Sequence, residues 1–182
     1  MEMNRAYSVL EMKGIDDERR ILTGIASTPT PDRMDDIVEP KGAIFKLPLP
    51  FLWQHRHDAP IGHVTKATVK TTGIDVEIQI VKIEEPGTLK DRVDEAWQSI
   101  KSGLVRGLSI GFSSIESANI DGSWGRRFLK WDWLELSAVT VAANAEATIQ
   151  TIKAMDEEHL RRGIKLMSAR DQHIRSGAVS LR

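Results

Sequence analysis

The chain has 182 residues, with 25 Lys and Arg against 26 Asp and Glu and a formal net charge of -1, so neither a basic face for nucleic acid nor an acidic block typical of disorder stands out. That length suits one domain with room for an appendage, and it allows a buried core without metals or cross-links. The absence of cysteine excludes a disulfide framework, a thiolate zinc site and cysteine catalysis together. No signal core follows Met1-Glu2-Met3-Asn4-Arg5, and no apolar run approaches the roughly 20 residues of a membrane helix. The expectation is a soluble protein with neither a membrane nor a nucleic-acid partner.

In chain order, Ala6 to Met12 and Arg20 to Ala26 are strand-like runs separated by the charged Asp16-Asp17-Glu18-Arg19, and they predict a first hairpin. Pro29, Pro31, Asp32, Asp35, Asp36 and Pro40 mark Ser27 to Gly42 as a loop. After Ala43-Ile44-Phe45 and Pro48-Leu49-Pro50, the run Phe51-Leu52-Trp53 predicts a brief strand ending at His55, which the prolines assign to an entry or edge position. Pro60 to Val69 and Ile74 to Val81 flank Thr71-Thr72-Gly73 as a hairpin. In the second arm Ile74, Val76, Ile78 and Ile80 share one face, and Asp75, Glu77 and Gln79 the other.

The period then changes. Leu89, Val93, Trp97 and Ile100 recur at helical spacing, with Thr88 and Asp91 as a capping pair and Gly103 as the stop. Leu104 to Ile115 predicts a central strand on which Ser109 shares a face with Gly111 and Ser113. Ser117 to Arg126 is a polar turn region and Phe128 to Val141 a long strand, with Trp131, Trp133, Glu135, Ser137 and Val139 alternating onto one face. A carboxylate on such a face needs a partner, because burying it alone is costly. From Asn144 the pattern becomes helical and charged, which divides the chain into a domain over 1–150 and a C-terminal helical tail over 151–182, frayed at its end.

Three segments carry chemistry. Gly107-Leu108-Ser109-Ile110-Gly111-Phe112 holds a serine between glycines, His55 follows Phe51-Leu52-Trp53-Gln54, and Glu135 lies in Trp133-Leu134-Glu135-Leu136-Ser137. A serine hydroxyl becomes a nucleophile at neutral pH when an imidazole takes its proton and a third group orients that imidazole. The helix precedes the serine strand here, so this is not the strand, turn and helix of a nucleophile elbow. The same residues admit plainer roles. Ser109 serves as a small strand residue, His55 as a surface histidine beside Arg56 and Asp58, and Glu135 as the partner of a neighbouring Lys or Arg. His55-x-His57 with Asp58 and His63 has metal-ligand spacing, but its only later histidines are His159 and His173.

Six pieces in order, Gly24-Ile25-Ala26, Val38 to Phe45, Leu52-Trp53-Gln54-His55, Pro60-Ile61-Gly62-His63-Val64, Gly107 to Phe112 and Leu134 to Val139, resemble the tailed-phage prohead proteases of the HK97 type over roughly Gly24 to Ala147. That family is thought to share its fold with the herpesvirus assemblins, which implies a mainly β (α+β) protein, an antiparallel β-barrel decorated by a few helices. The resemblance implies a serine endopeptidase with Ser109 as nucleophile, His55 as general base and Glu135 where assemblins have a second histidine. His57 competes for the base, and Ser137 is placed to hold Glu135. Assemblins carry paired arginines after the third triad strand, whereas Ala142-Ala143-Asn144-Ala145 has none and leaves a backbone N–H for the oxyanion. The implied substrates are scaffolding segments of the major capsid protein and the protease itself, cleaved within the assembling prohead in the host cytoplasm. No cofactor and no metal are implied, and a homodimer or higher homo-oligomer is. The rival reading is a non-catalytic barrel module of capsid assembly, followed by a His-ligated metal hydrolase.

Overall fold

The computed structural model describes residues 4–9 and 19–141. The C-terminal helix and tail expected from Asn144, the loop Ala142 to Ala145, and His159 and His173 lie outside the described residues. The elements are strands β1 (Asn4–Val9), β2 (Ile21–Ile25), β3 (Ile37–Val38), β4 (Ala43–Ile44), β5 (Leu49–Trp53), β6 (Arg56–Val69) and β7 (Ile74–Ile80), helix α1 (Thr88–Lys101), and strands β8 (Gly107–Asn119) and β9 (Arg126–Val139), with a 3-10 turn at Pro40–Gly42. Among the described residues no helix is long and apolar enough to cross a membrane.

The protein is mainly β with one α-helix among the described residues. Among the described residues nine strands join one sheet in the order β1-β8-β9-β5-β6-β7-β2, with β3 and β4 alongside β9. Neighbours on this path are antiparallel except β5, which runs parallel to β9, as do β3 and β4. The path has two ends, and among the described residues no ladder joins β1 to β2. The expected first hairpin is therefore replaced by two strands at opposite ends of the sheet: β1 pairs with β8 and β2 with β7. The long charged stretch between them is no tight loop of about two to five residues, so nothing local forces them together.

β7 follows its alternation, with Ile74, Val76, Ile78 and Ile80 buried against the core. β5 is interior rather than an edge. Its ladder to β9 begins only at Phe51, so Pro50 stands just before it and its missing N–H interrupts nothing on that side. The 27–42 loop is tied to β9: Ile37 and Val38 are buried opposite Arg127 and Phe128, and the Trp131 indole donates to the Glu39 carbonyl at 2.9 Å. Helix α1 buries Val93, Ala96, Trp97 and Ile100, but Leu89 is exposed. Its N-cap is Gly87, with no side-chain cap, so Thr88 is the first helical residue rather than the cap. Gly103 ends it at φ 73°, a left-handed conformation that favours glycine.

The β8–β9 hairpin is interrupted by three single-residue bulges, which leave Ile115, Leu129 and Leu134 unmatched in the register. Each projects to solvent. The Leu134 bulge matters most. Gly111 pairs with Glu135, yet the next residue, Phe112, pairs with Trp133, so the alternation of β9 reverses between Trp133 and Glu135. Trp131 and Trp133 therefore face the core, where Phe112 lies 5.4 Å from Trp131 and Phe45 lies 5.2 Å from Trp133 between ring centroids. Glu135 and Ser137 lie on the opposite face, with Ser109 and Gly111. The single face expected for Trp131 through Val139 is divided in two.

Candidate active site

Ser109 and Ser137 are paired residues of β8 and β9, and Gly111 and Glu135 are the next pair along the same face. This patch is dry: Ser109 and Ser137 are 0% exposed and Glu135 is 3% exposed. A carboxylate taken out of water needs hydrogen-bond donors on its oxygens. Ser137 Oγ donates to Glu135 Oε2 at 2.7 Å, and His55 Nδ1 lies 3.0 Å from Glu135 Oε1. The partner expected for Glu135 is thus His55, from a residue 80 positions earlier in the chain, and not a Lys or Arg. An ionised carboxylate only accepts, so Nδ1 is the donor and the basic lone pair of the neutral ring is on Nε2.

The carboxylate has room because residue 111 is glycine. A Cβ at Gly111 would stand 2.2 Å from Glu135 Oε1 and 2.8 Å from Cδ and Cγ. The strand carrying Ser109 is therefore recessed beside the serine, and the glutamate side chain lies across the recess. The backbone of Glu135 is held as well, since its carbonyl accepts the Trp133 indole N–H at 2.8 Å.

His55 reaches this patch from a tight turn. Trp53 and Arg56 are the last pair of the β5–β6 ladder, and Gln54 and His55 between them have φ 54° and 58°. Two consecutive positive φ values are the signature of a type I′ connection, whose right-handed twist suits the flanking strands. Residues with a Cβ hold this conformation at a cost of about 1–2 kcal/mol each. Gln54 is fastened: its N–H donates to the Ala138 carbonyl at 2.9 Å, its Nε2 donates to Thr140 Oγ1 at 2.8 Å, and its Oε1 accepts the Thr140 N–H at 3.2 Å.

Of the residues singled out in the sequence, His55, Glu135 and Ser137 are joined by hydrogen bonds, and Ser109 stands opposite Ser137 on the paired strand. His57 and His63 do not; both are exposed on β6. Asp58 pairs with Arg56 at 3.1 Å, and among the described residues no group of three or more His, Asp or Glu is arranged to hold a metal ion. Gln54 and Thr140 were not legible as site residues. The signal was the short gap between two strand-like runs, obscured because neither turn residue is Gly, Asn or Asp.

Residues 35–162 match the family described as caudovirus prohead serine protease. The chain is 70% identical over 158 residues, 87% of its length, to a capsid polyprotein of Pseudomonas phage PAJU2, and it spans only 24% of that polyprotein. It is 26% identical over 159 residues to the prohead protease of Escherichia phage T5, covering 80% of this chain and 70% of that protein. The structure resembles that of the bacteriophage T4 capsid assembly protease with a TM-score of 0.51 at 8% identity, covering 76% of this chain and 97% of the other, a likeness of fold. With the family match extending across β3 to β9 and the whole of the Ser109, His55 and Glu135 patch, the chain belongs to the caudovirus prohead serine proteases.

Proposed function

We propose that the chain is a serine endopeptidase of phage prohead maturation, with Ser109 as nucleophile, His55 as general base and Glu135 as the carboxylate that orients and stabilises the imidazolium. One observation carries the assignment: a buried imidazole held through Nδ1 at 3.0 Å by a buried carboxylate, on the face of β9 that is paired with the serine strand. A buried His–Glu pair of this kind adds little to stability over an apolar pair, which favours a role in chemistry. His55 takes the Ser109 proton as the hydroxyl attacks a peptide carbonyl. The tetrahedral intermediate collapses to an acyl-enzyme as His55 protonates the leaving amine, and water repeats the sequence to release the acid. Ser137, hydrogen-bonded to the second carboxylate oxygen, keeps Glu135 from rotating away.

The substrate in this reading is a capsid protein or its scaffolding segment, and the chain itself. It is supported by the capsid polyprotein and prohead protease names of the similar proteins. A phage-encoded enzyme acting inside the assembling prohead, closure of the sheet into an assemblin-type barrel over 1–150 with a separate tail over 151–182, and association into dimers or higher oligomers belong to the same proposal.

The test is the mass of the wild-type chain followed over time beside Ser109→Ala, with a scaffold-bearing capsid protein added. Trimming by the wild type alone is expected. If both chains and the capsid protein stay intact at concentrations that force association, the non-catalytic assembly module becomes the better account.

A further inference from the structure

We infer that Gln54 is a positioning residue for the base, clasping the turn that carries His55 to the end of the strand that carries Glu135; this rests on the reading of His55 and Glu135 as catalytic partners. His55 occupies the second central position of the β5–β6 turn, where glycine is otherwise favoured, at φ 58°. A glycine there has no imidazole, so the site needs a residue with a side chain in a backbone conformation that such residues avoid. Something outside the turn has to hold it.

Gln54 is built to do so. Both ends of its amide are engaged by one residue, with Nε2 donating to Thr140 Oγ1 at 2.8 Å and Oε1 accepting from Thr140 N at 3.2 Å. Together with its own N–H on the Ala138 carbonyl at 2.9 Å, the glutamine is bound at three points. A carboxamide used through both its donor and its acceptor has only one orientation that satisfies both bonds. All three contacts end at Ala138 and Thr140, on the same stretch of chain as Glu135. The turn bearing the imidazole and the strand bearing its carboxylate are thereby one rigid frame, and the Nδ1 to Oε1 distance of 3.0 Å is fixed by that frame and not by the His–Glu bond alone. A glutamine whose only role was to stabilise the turn would be replaceable by any residue at ease with positive φ.

The discriminating variant is therefore Gln54→Asn, compared in the full-length chain with wild type, Gln54→Ala and Ser109→Ala. Asparagine is at ease in the left-handed conformation and one methylene too short to reach both Thr140 groups. Gln54→Asn is expected to melt at or above the wild-type temperature yet cleave with kcat reduced roughly 10–100-fold at little change in KM, in the range expected of a small misplacement. Thr140→Val, which keeps the backbone N–H and loses the hydroxyl, is expected to give a smaller loss, and its combination with Gln54→Ala to cost no more than Gln54→Ala alone. Proton NMR of the His55 Nδ1–H gives a readout independent of turnover: the resonance is present in wild type and in Ser109→Ala and broadened or shifted upfield in Gln54→Asn. A Gln54→Asn chain with wild-type kcat and an unchanged resonance overturns the clasp. If wild type shows no Ser109-dependent cleavage, the catalytic reading fails, and the resonance alone decides whether Gln54 holds the imidazole on the carboxylate.

Discussion

Gly111 shows how much of this site depends on an atom that is missing. A methyl group there would overlap the Glu135 carboxylate at 2.2 Å from Oε1, and nearby Ser137 and His55 hold that carboxylate from its two oxygens, so it has nowhere equivalent to go. Gly111→Ala is expected to lower kcat/KM by roughly 100-fold, the scale of a misplacement of about 1 Å, and to destabilise the fold by about 1–3 kcal/mol, as overpacking does. In a Glu135→Ala background, where neither Cγ nor the carboxylate remains, the same substitution should cost much less stability; thermal melts of the four chains decide it. The need of Glu135 for a partner was legible from its place in an apolar run. The identity of that partner was not, because His55 and Glu135 meet only through the pairing of β5 with β9. Nor was the purpose of Gly111, since a glycine in a strand is ambiguous until its cross-strand neighbour is known.

At the level of elements, β7 and α1 were legible because each carries its own period, Ile74 to Ile80 at two and Val93, Trp97 and Ile100 at helical spacing. The cap of α1 was misplaced by one residue because Gly87 leaves no side-chain signature. The faces of β9 were misread because a bulge carries no composition of its own: Leu134 looks like any strand leucine, yet it decides which side Glu135 takes. Helix α1 also has an electrostatic anchor. Lys90 and then Arg20 hold the Asp94 carboxyl below the ordinary carboxylate range, with Arg20 Nη2 at 2.6 Å and its guanidinium 6.0 Å from the Trp97 ring centroid. A depressed value in the folded state means that the unfolded chain binds the proton more readily. The contribution is therefore complete above the ordinary carboxylate range and lost as pH falls through it toward the folded value. Urea midpoints at neutral pH and at pH near 3 should differ more for wild type than for Asp94→Asn, and a similar drop in both would remove Asp94 from the acid response.

At the scale of the molecule, a mainly β fold was legible from the strand-like runs, and the order of strands was not. Adjacent runs at the start of the chain suggest a hairpin, but β1 and β2 instead form the two ends of the strand order, each paired with a strand made later. This topology has a consequence in time. Asn4 meets Phe112 and Ile21 meets Gln79, so β1 and β2, made before the strands they pair with, must wait unpaired until β8 and β7 exist. Nonlocal pairing of this kind belongs with folding in milliseconds to seconds, not microseconds. Refolding followed by tryptophan fluorescence and pulsed hydrogen exchange should show the β8–β9 hairpin protected before β1, whereas simultaneous protection would point to a single late collapse. During translation, at about 5–20 residues per second, the interval from β1 to β8 lasts several seconds. For that interval the strand that bears Ser109 does not exist, and its far edge is covered only after the ribosome has passed it. A stretch made early is thus among the last to find its place.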